Sequence, residues 1–335
     1  MKGLLKYIAK SLMTLCRSFP INIYLNRYNE NKLIMYSFYV LLLPVELIWV
    51  GVRYLNGVLI EKFKKNYKYN SAIVSIIKNE ALYLDEWIAY HRDVVGVDHF
   101  YLYNNNSSDN TAKVLEKYVK KGIVDFVNLK GQQRQVDAYN LAILSHKAEA
   151  KYLVVIDVDE FLQLTDQSIT TLDDIINPLI TKNDVGGIGV NWCMFGSGGE
   201  KHYKNELVTK RFVFKAEQNN PSNHYIKSII NPRLTIGFFK AHAAYYWPGY
   251  YTVNCVGERI SGSMTDVCIH YPLRLNHYFT KSKEEFELKR KRGMADQRGI
   301  RNENNFIQYD LNDLQDCSMR EYSDIILSAI ARYKM

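Results

Sequence analysis

Carboxylates cluster within a single turn of the sequence, at Asp157, Asp159 and Glu160. They directly follow 152–156, an uninterrupted apolar run that is typical of a buried strand. Clustered carboxylates repel one another, and a hard divalent cation is a common reason to hold them together. Mg²⁺ or Mn²⁺ on such oxygens can bridge to phosphate and stabilise a diphosphate leaving group. The pattern predicts a metal and diphosphate site, although a solvated acidic turn that caps a helix has the same composition.

Short apolar runs alternate with helical patterns before this cluster. Strands are predicted at 71–77, 99–103, 123–128 and 152–156, and helices at 81–95, 109–121 and 132–147. Such alternation is typical of a parallel sheet covered on both faces, and therefore of an α/β fold. Further strands are expected at 207–215 and 224–230, and a closing helix at 321–333.

Polar side chains follow the ends of all four predicted strands. Ligands of parallel sheets bind beyond the carboxyl ends of the strands, so the four groups predict one binding cleft. Completion of turns is the alternative role for Lys78 and Asn104. The groups are Lys78, Asn79 and Glu80; Asn104, Asn106 and Asp109; Gln135 and Asn140; and Asp157 with its neighbours.

Taken together, these motifs resemble the nucleotide-sugar glycosyltransferases of the GT-A fold, specifically family 92 and its bacterial family-2-like relatives. The resemblance covers about 72–293. It implies a mixed, mostly parallel sheet flanked by helices, with a catalytic domain at 70–293. The matching runs are KNE at 78–80, YNNNSSD at 103–109, DVDEF at 157–161, FGSG at 195–198, KSII at 227–230 and HY at 277–278, followed by the charged segment 281–293.

The resemblance also implies a reaction, an inverting transfer from a UDP-sugar to a glycan hydroxyl with Mn²⁺ (or Mg²⁺) present. UDP-galactose is the first candidate donor, and synthesis of a surface polysaccharide or lipid-linked oligosaccharide is the expected context. Asp157, Asp159 and His277 would be the metal ligands, although His277 has an alternative role as a core histidine. The nucleotide-sugar would contact Lys78, Asn79, Glu80, Asn104, Asn106, Asp109, Gln135, Asn140, Asp157 and Lys281.

Inverting transfer needs a base that takes the acceptor proton. Glu200 is the first candidate, because it follows a glycine-rich loop that lets the backbone approach a ligand closely. Glu160 is the second. On the acceptor side we expect Gly198 and Trp192, whose ring suits a sugar face as well as it suits core packing.

Residues 1–69 differ in character from the rest of the chain. Residues 2–19 form a basic amphipathic pattern that suits an anionic membrane surface, and 33–60 is apolar and long enough to span a bilayer. Pro44, Glu46 and Arg53 interrupt that stretch, so we expect it to lie in the interface, at the cytoplasmic face of the cell membrane, as a peripheral or monotopic segment. A spanning helix, or a helical hairpin packed on the catalytic domain or on a partner subunit, are the alternatives.

The formal net charge of +8 resides in the first 70 residues, and the remaining sequence is balanced. This distribution argues against nucleic-acid binding. Five cysteines without a CxxC pair favour a reducing compartment. Residues 294–335 are predicted to be a helical extension, and homo-oligomerisation is left open.

Two other functions fit parts of the pattern. A non-catalytic GT-A-fold scaffold at the membrane has no reason to keep the acidic cluster. A nucleotidyltransferase on a similar sheet usually has a glycine-rich basic loop after the first strand, and residues 78–80 do not form one.

Overall fold

A computed structural model describes residues 2–25, 32–182, 184–294 and 301–334. The helices are α1 Lys2–Ser18, α2 Pro20–Leu25, α3 Lys32–Phe63, α4 Leu84–Asp93, α5 Thr111–Lys120, α6 Gln135–His146, α7 Leu172–Ile180, α8 Val208–Arg211, α9 Lys283–Lys291, α10 Asn304–Tyr309 and α11 Ser323–Lys334. The strands are β1 Tyr69–Ile77, β2 His99–Asn104, β3 Val124–Asn128, β4 Ala150–Val155, β5 Glu160–Leu164, β6 Val185–Met194, β7 Phe214–Lys215, β8 Ile226–Ile230, β9 Thr235–Phe238, β10 Ala244–Tyr246, β11 Tyr251–Val253, β12 Arg259–Ile260, β13 Leu273–His277 and β14 Leu314–Gln315.

Ten strands form one mixed sheet in the order β12-β11-β6-β8-β4-β1-β2-β3, with β13 and β5 attached beside β6. Strands β4, β1, β2 and β3 are parallel. Strand β8 lies antiparallel between β4 and β6, and β13 pairs in parallel with β6. The predicted fold class, an α/β fold with a mixed, mostly parallel sheet flanked by helices, is confirmed.

Side chains of the central strands alternate between two apolar layers, as an extended chain requires. Ile73 packs with Trp87 of α4 and Ile176 of α7 on one face. The next residue, Val74, packs with Tyr139 of α6 on the other face. Burial on both faces explains why β1 reads as a continuous apolar run.

The four strands predicted before residue 160 correspond to β1, β2, β3 and β4 within two residues at each end. The strand expected at 207–215 is wrong over most of its length, because 208–211 forms the short helix α8. This helix begins at the buried carboxylate of Glu86, which accepts hydrogen bonds from the backbone N–H of Val208 (2.7 Å) and Thr209 (2.9 Å). A carboxylate there satisfies the free N–H groups of a helix start.

Both ends of the chain pack on the segment 70–293. Helix α1 packs against α6 and β9, and α3 packs beside α1. At the other end, α11 packs on α4, and β14 pairs with β7. Within the described residues, only Val40–Phe63 is long and apolar enough to cross a membrane, a finding that rests on length and composition.

Candidate functional site

A cavity of about 310 Å³ opens where β1, β4, β6 and β13 end. Strand β8 runs in the opposite direction, so its beginning reaches the same edge of the sheet. Basic side chains outnumber acidic ones in the cavity wall, which suits an anionic ligand. The basic residues are Lys78, Lys227, Lys289, Arg292 and Arg301, and the acidic ones are Glu80, Asp157 and Asp159.

Asp157 is held by three neighbours. Its Oδ2 lies 2.8 Å from the Nζ of the buried Lys227. Its Oδ1 accepts hydrogen bonds from Gln135 Nε2 (2.9 Å) and the Tyr139 hydroxyl (3.1 Å). Burial alone would raise the pKa of Asp157, but the attraction of Lys227 outweighs it and holds that pKa below its usual value. Asp157 is therefore a fixed carboxylate at the floor of the cavity.

Asp159 lies two residues further along the same turn and has different partners. Its Oδ2 contacts Nζ of Lys289 on α9, and its Oδ1 lies 3.5 Å from Nε2 of His277 at the end of β13. Burial opposes its ionisation, but Lys289 and His277 hold the pKa of Asp159 well below its usual value. Burial also lowers the pKa of Lys289 to about 7. The second carboxylate is thus charged and faces two groups from the C-terminal part of the chain.

Glu160 is fully enclosed, and it is absent from the cavity wall. Its Oε2 accepts a hydrogen bond from the backbone N–H of Asp157 (2.7 Å), and its Oε1 accepts one from Trp192 Nε1 (2.7 Å). Burial raises the pKa of Glu160 to about 8, despite the nearby Lys227. The side chain fixes the acidic turn and orients the Trp192 ring.

A second buried ion pair joins α9 to the loop after β1. Arg292 Nη2 lies 2.5 Å from Glu80 Oε1, and Arg292 Nη1 donates to the carbonyl oxygens of Lys78 (2.8 Å) and Asn79 (3.1 Å). Burial lowers the pKa of Arg292, but the attraction of Glu80 outweighs burial and holds that pKa above its usual value. Arg292 directly follows α9 and lies three residues after Lys289, so the end of this helix brings both cations to the cavity.

Aromatic rings line another part of the cavity around His242, in the loop between β9 and β10. The ring centres of Trp192 and Tyr225 are each 5.2 Å from that of His242. His242 Nδ1 lies 3.1 Å from the carbonyl oxygen of Ile226. A carbonyl only accepts, so Nδ1 carries the proton and Nε2 is left as an acceptor. Burial, followed by repulsion from Lys227, lowers the pKa of His242 to about 4.

Residues 74–309 match the family model described as glycosyltransferase family 92. The chain belongs to this family. A family 92 protein from Ricinus communis is 28% identical over 166 residues, which are 49% of this chain and 29% of that protein. One from Oryza sativa subsp. japonica is 24% identical over 176 residues, which are 51% of this chain and 29% of that protein. The match therefore spans less than a third of the length of these relatives.

Solved structures similar to this family 92 chain include two bacterial proteins. TarS of S. aureus with UDP has a TM-score of 0.34 and 15% identity, over 49% of this chain and 47% of that one. Glucosyl-3-phosphoglycerate synthase of Mycobacterium tuberculosis, in complex with Mn²⁺, UDP and glucosyl-3-phosphoglycerate, has a TM-score of 0.25 and 16% identity, over 37% of this chain and 44% of that one.

The predicted metal ligands of this family 92 chain come together only in part. Asp159 Oδ1 and His277 Nε2 lie 3.5 Å apart and supply one carboxylate oxygen and one imidazole nitrogen. Asp157 does not join them, because both of its oxygens are engaged by other side chains. Among the described residues, no group of three His, Cys, Asp or Glu is arranged to hold a metal. The donors fit an ion that takes its remaining ligands from phosphate and water, as Mg²⁺ commonly does.

Several predicted nucleotide-binding residues lie in the loops around the cavity and not in its wall. They form a network in which Asn79 Oδ1 accepts from the backbone N–H of Ser108 (2.7 Å), and Asn104 Nδ2 donates to Asn128 Oδ1 (2.8 Å). Asp109 accepts from the backbone N–H of Ala81 and Thr111, and Asn106 Nδ2 donates to the Gly131 carbonyl (3.2 Å). Of the predicted set, Lys78, Glu80, Gln135 and Asp157 line the cavity.

Four other predicted residues have partners outside the cavity. Asn140 bridges α6 to Phe238 of β9. Lys281 places its Nζ 4.1 Å from the centre of the Tyr83 ring. Gly198 donates its N–H to Asn312 Oδ1 (2.7 Å), and Glu200 pairs with Lys204, four residues later in the same loop (2.6 Å). The structure does not bring Gly198 or Glu200 to the cavity.

The sequence reasoning missed Lys227, His242, Lys289 and Arg292 as site residues, and also Asn105, which lines the cavity. For α9 a signal was present, because Lys289 and Arg292 lie three apart on one helix face beside acidic strand ends. The sequence around His242 contains no motif that would have predicted a site residue.

Proposed function

We propose that this chain transfers a sugar from a UDP-sugar to a glycan hydroxyl with inversion at the anomeric carbon. The single observation that carries the proposal is the arrangement of Asp159, His277 and Lys289 in one cavity at the carboxyl edge of the sheet. Family 92 membership supports the reaction class. UDP-galactose is the first candidate donor, and a surface or lipid-linked glycan is the candidate acceptor. Both candidates rest on the family resemblance alone.

The donor diphosphate has cationic partners in the chain itself. Lys289 and Arg292 are paired with Asp159 and Glu80, and both line the cavity. We propose that the diphosphate oxygens share these cations when the donor binds. Charge-assisted hydrogen bonds to phosphate are the strong kind, and they strengthen as negative charge develops on the leaving diphosphate.

A divalent cation, Mn²⁺ or Mg²⁺, would be held by Asp159 and His277 together with the donor's own oxygens. It would add Lewis-acid stabilisation of the leaving diphosphate. Asp157 would have a positioning role, because its contacts to Lys227, Gln135 and Tyr139 fix the turn that carries Asp159.

We propose His242 as the base, in place of the enclosed Glu160 and the distant Glu200. Its Nε2 would accept the proton of the acceptor hydroxyl while that oxygen bonds to the anomeric carbon. The bond from the anomeric carbon to the diphosphate breaks with its electron pair, and UDP leaves. Trp192 presents an aromatic ring beside His242, which suits an acceptor sugar face.

One experiment tests the proposed function. The purified chain is incubated with UDP-, GDP- and CMP-sugars and Mn²⁺, with and without EDTA, and nucleotide release and binding are measured. We expect metal-dependent hydrolysis of a UDP-sugar that is lost in Asp159→Asn and kept in the exposed control Asp266→Asn. Absence of binding and turnover with every donor, or full activity of Asp159→Asn, contradicts the proposal. Binding without turnover would instead indicate the scaffold alternative.

A further inference from the structure

One side of helix α3 packs against the segment 70–293. Its only charged residues between 40 and 60 are Glu46 and Arg53, and they are 3% and 6% exposed. Glu46 Oε1 accepts a hydrogen bond from Asn22 Nδ2 (2.5 Å). The Arg53 guanidinium donates to Ser18 Oγ (2.9 Å) and to two carbonyl oxygens of β9, one of them Ile236 (2.6 Å). Both charges therefore point into the protein.

The attachment continues along the helix. A side chain at Gly57 would meet the carbonyl oxygen of Arg233 at 2.6 Å, so the two backbones are in close contact. One turn later Glu61 pairs with the Arg233 guanidinium and accepts from Asn231 Nδ2 (3.1 Å). The contacts of α3 with the segment 70–293 run from Arg53 to Glu61, about 12 Å at 1.5 Å per residue. A helix with a folded domain along this length is not surrounded by lipid, so we exclude the spanning arrangement.

The opposite side of α3 is apolar and exposed. We call its residues the α3 apolar face: Leu41, Val45, Ile48, Val52, Leu55 and Leu59. At 100° per residue these six lie within one quadrant of the helix, opposite Glu46 and Arg53. Ile48, near the centre, is 71% exposed. Contiguous exposed apolar patches of this kind mark interaction surfaces.

The positive charge beside the α3 apolar face indicates which kind of partner binds there. Lys62, Lys64, Lys65 and Lys68 follow the apolar face along the chain, and the excess of positive charge lies in the first 70 residues. A second copy would bring like charges together, whereas an anionic bilayer offers apolar depth and negative headgroups together. We propose that the α3 apolar face is submerged in an anionic membrane surface with the helix parallel to the bilayer plane. This proposal does not depend on the proposed function.

Vesicle flotation of the full chain tests the proposal directly. We expect binding to phosphatidylcholine vesicles that contain 30% phosphatidylglycerol, and at least tenfold weaker binding to phosphatidylcholine alone. Ile48→Glu with Leu55→Glu should lose binding without a change in the circular dichroism melting curve, while Leu82→Glu, at an exposed leucine outside the helix, should bind normally. Equal binding of the double variant, or a dimer in solution that depends on Ile48 and Leu55, would overturn it.

Depth measurements separate an in-plane helix from a spanning one. Spin labels at Leu41→Cys, Val52→Cys and Leu59→Cys, with Cys16 and Cys317 changed to serine, report depth by collision with oxygen and a nickel chelate. We expect three similar, shallow depths. A maximum at position 52, with 41 and 59 near opposite surfaces, would show a spanning helix and contradict the proposal.

Discussion

The Nζ of Lys227 lies 2.8 Å from Oδ2 of Asp157, and the pair joins two antiparallel strands at the floor of the cavity. Lys227 is almost fully buried, and Asp157 retains 30% exposure of its side chain. The lysine also lies 3.6 Å from Glu160 Oε2, but burial raises the pKa of Glu160 to about 8, so the ammonium is paired chiefly with Asp157. The attraction of both carboxylates holds the pKa of Lys227 well above its usual value, against the effect of burial.

Replacement of this lysine should destabilise the fold. Lys227→Met leaves the ionised Asp157 without its cation, and we expect a loss of about 2 kcal/mol in the free energy of unfolding, less than a fully buried pair would show because water screens Asp157. Urea denaturation measures it. The double variant Lys227→Met/Asp157→Asn should recover part of the loss, and Lys201→Met, at an exposed lysine, should be neutral. A single variant as stable as the native chain would contradict the buried pairing.

Removal of the α9 cation should weaken donor binding. Lys289→Met deletes an ammonium that we propose the diphosphate shares, and hydrogen bonds to charged groups are worth about 1.5–3 kcal/mol, or roughly 10–100-fold in the UDP dissociation constant. Isothermal titration with UDP and Mn²⁺ measures this, with the exposed neighbour Lys291→Met as the control. If Lys289→Met binds UDP as the native chain does, Lys289 is a structural counter-ion of Asp159 and not a ligand contact.

Loss of the proposed base should slow transfer and spare binding. For His242→Asn we expect a decrease in kcat of about 10²–10⁴-fold with an unchanged UDP dissociation constant, since general bases contribute that much. His224→Asn is the matched control, because His224 also hydrogen-bonds a carbonyl through Nδ1 but lies outside the cavity wall. A His242→Asn variant with the native kcat would exclude this base.

The pH dependence provides an independent check on His242. Burial lowers its pKa to about 4, so the imidazole stays neutral and able to accept a proton above that pH. Protonation of this base should therefore reduce kcat only as the pH falls toward 4, and not between pH 8 and about 5.5. A descending limb centred near 6.5, the usual histidine value, that disappears in His242→Asn would show that the imidazole is not desolvated as the structure indicates.

The sequence predicted those parts of the molecule that depend on neighbours along the chain. Each of β1, β2, β3 and β4 is an apolar run followed by a helix or a turn, so local pattern was enough to find it. The Asp157 turn was found in the same way. The cations were not, because Lys227 and Lys289 pair with this turn across 70 and 130 residues of sequence. Which distant segment fills a gap in the sheet depends on topology, and local periodicity does not encode it.

Proximity in sequence also guided the choice of Glu200 as the first candidate base. Glu200 follows a glycine-rich loop, but its carboxylate pairs with Lys204, four residues later. His242 reaches the cavity because β9 and β10 pair as a short hairpin and carry their connecting loop to the sheet edge. The N-terminal helices α1 and α2 pack on the segment 70–293, as one of the alternatives predicted. Membrane binding through the α3 apolar face stays a proposal.

A substitution at Asn140 distinguishes a structural role of this residue from a role in ligand binding. Its Oδ1 accepts from the Phe238 N–H (2.8 Å) and its Nδ2 donates to the Phe238 carbonyl (3.2 Å), so one buried amide ties α6 to β9. Asn140→Leu removes both buried hydrogen bonds, which should cost on the order of 2 kcal/mol of unfolding free energy. We expect a lower urea midpoint than for the exposed control Asn219→Leu, with an unchanged UDP dissociation constant. Weaker UDP binding at native stability would return Asn140 to the nucleotide-sugar site, where the sequence had placed it.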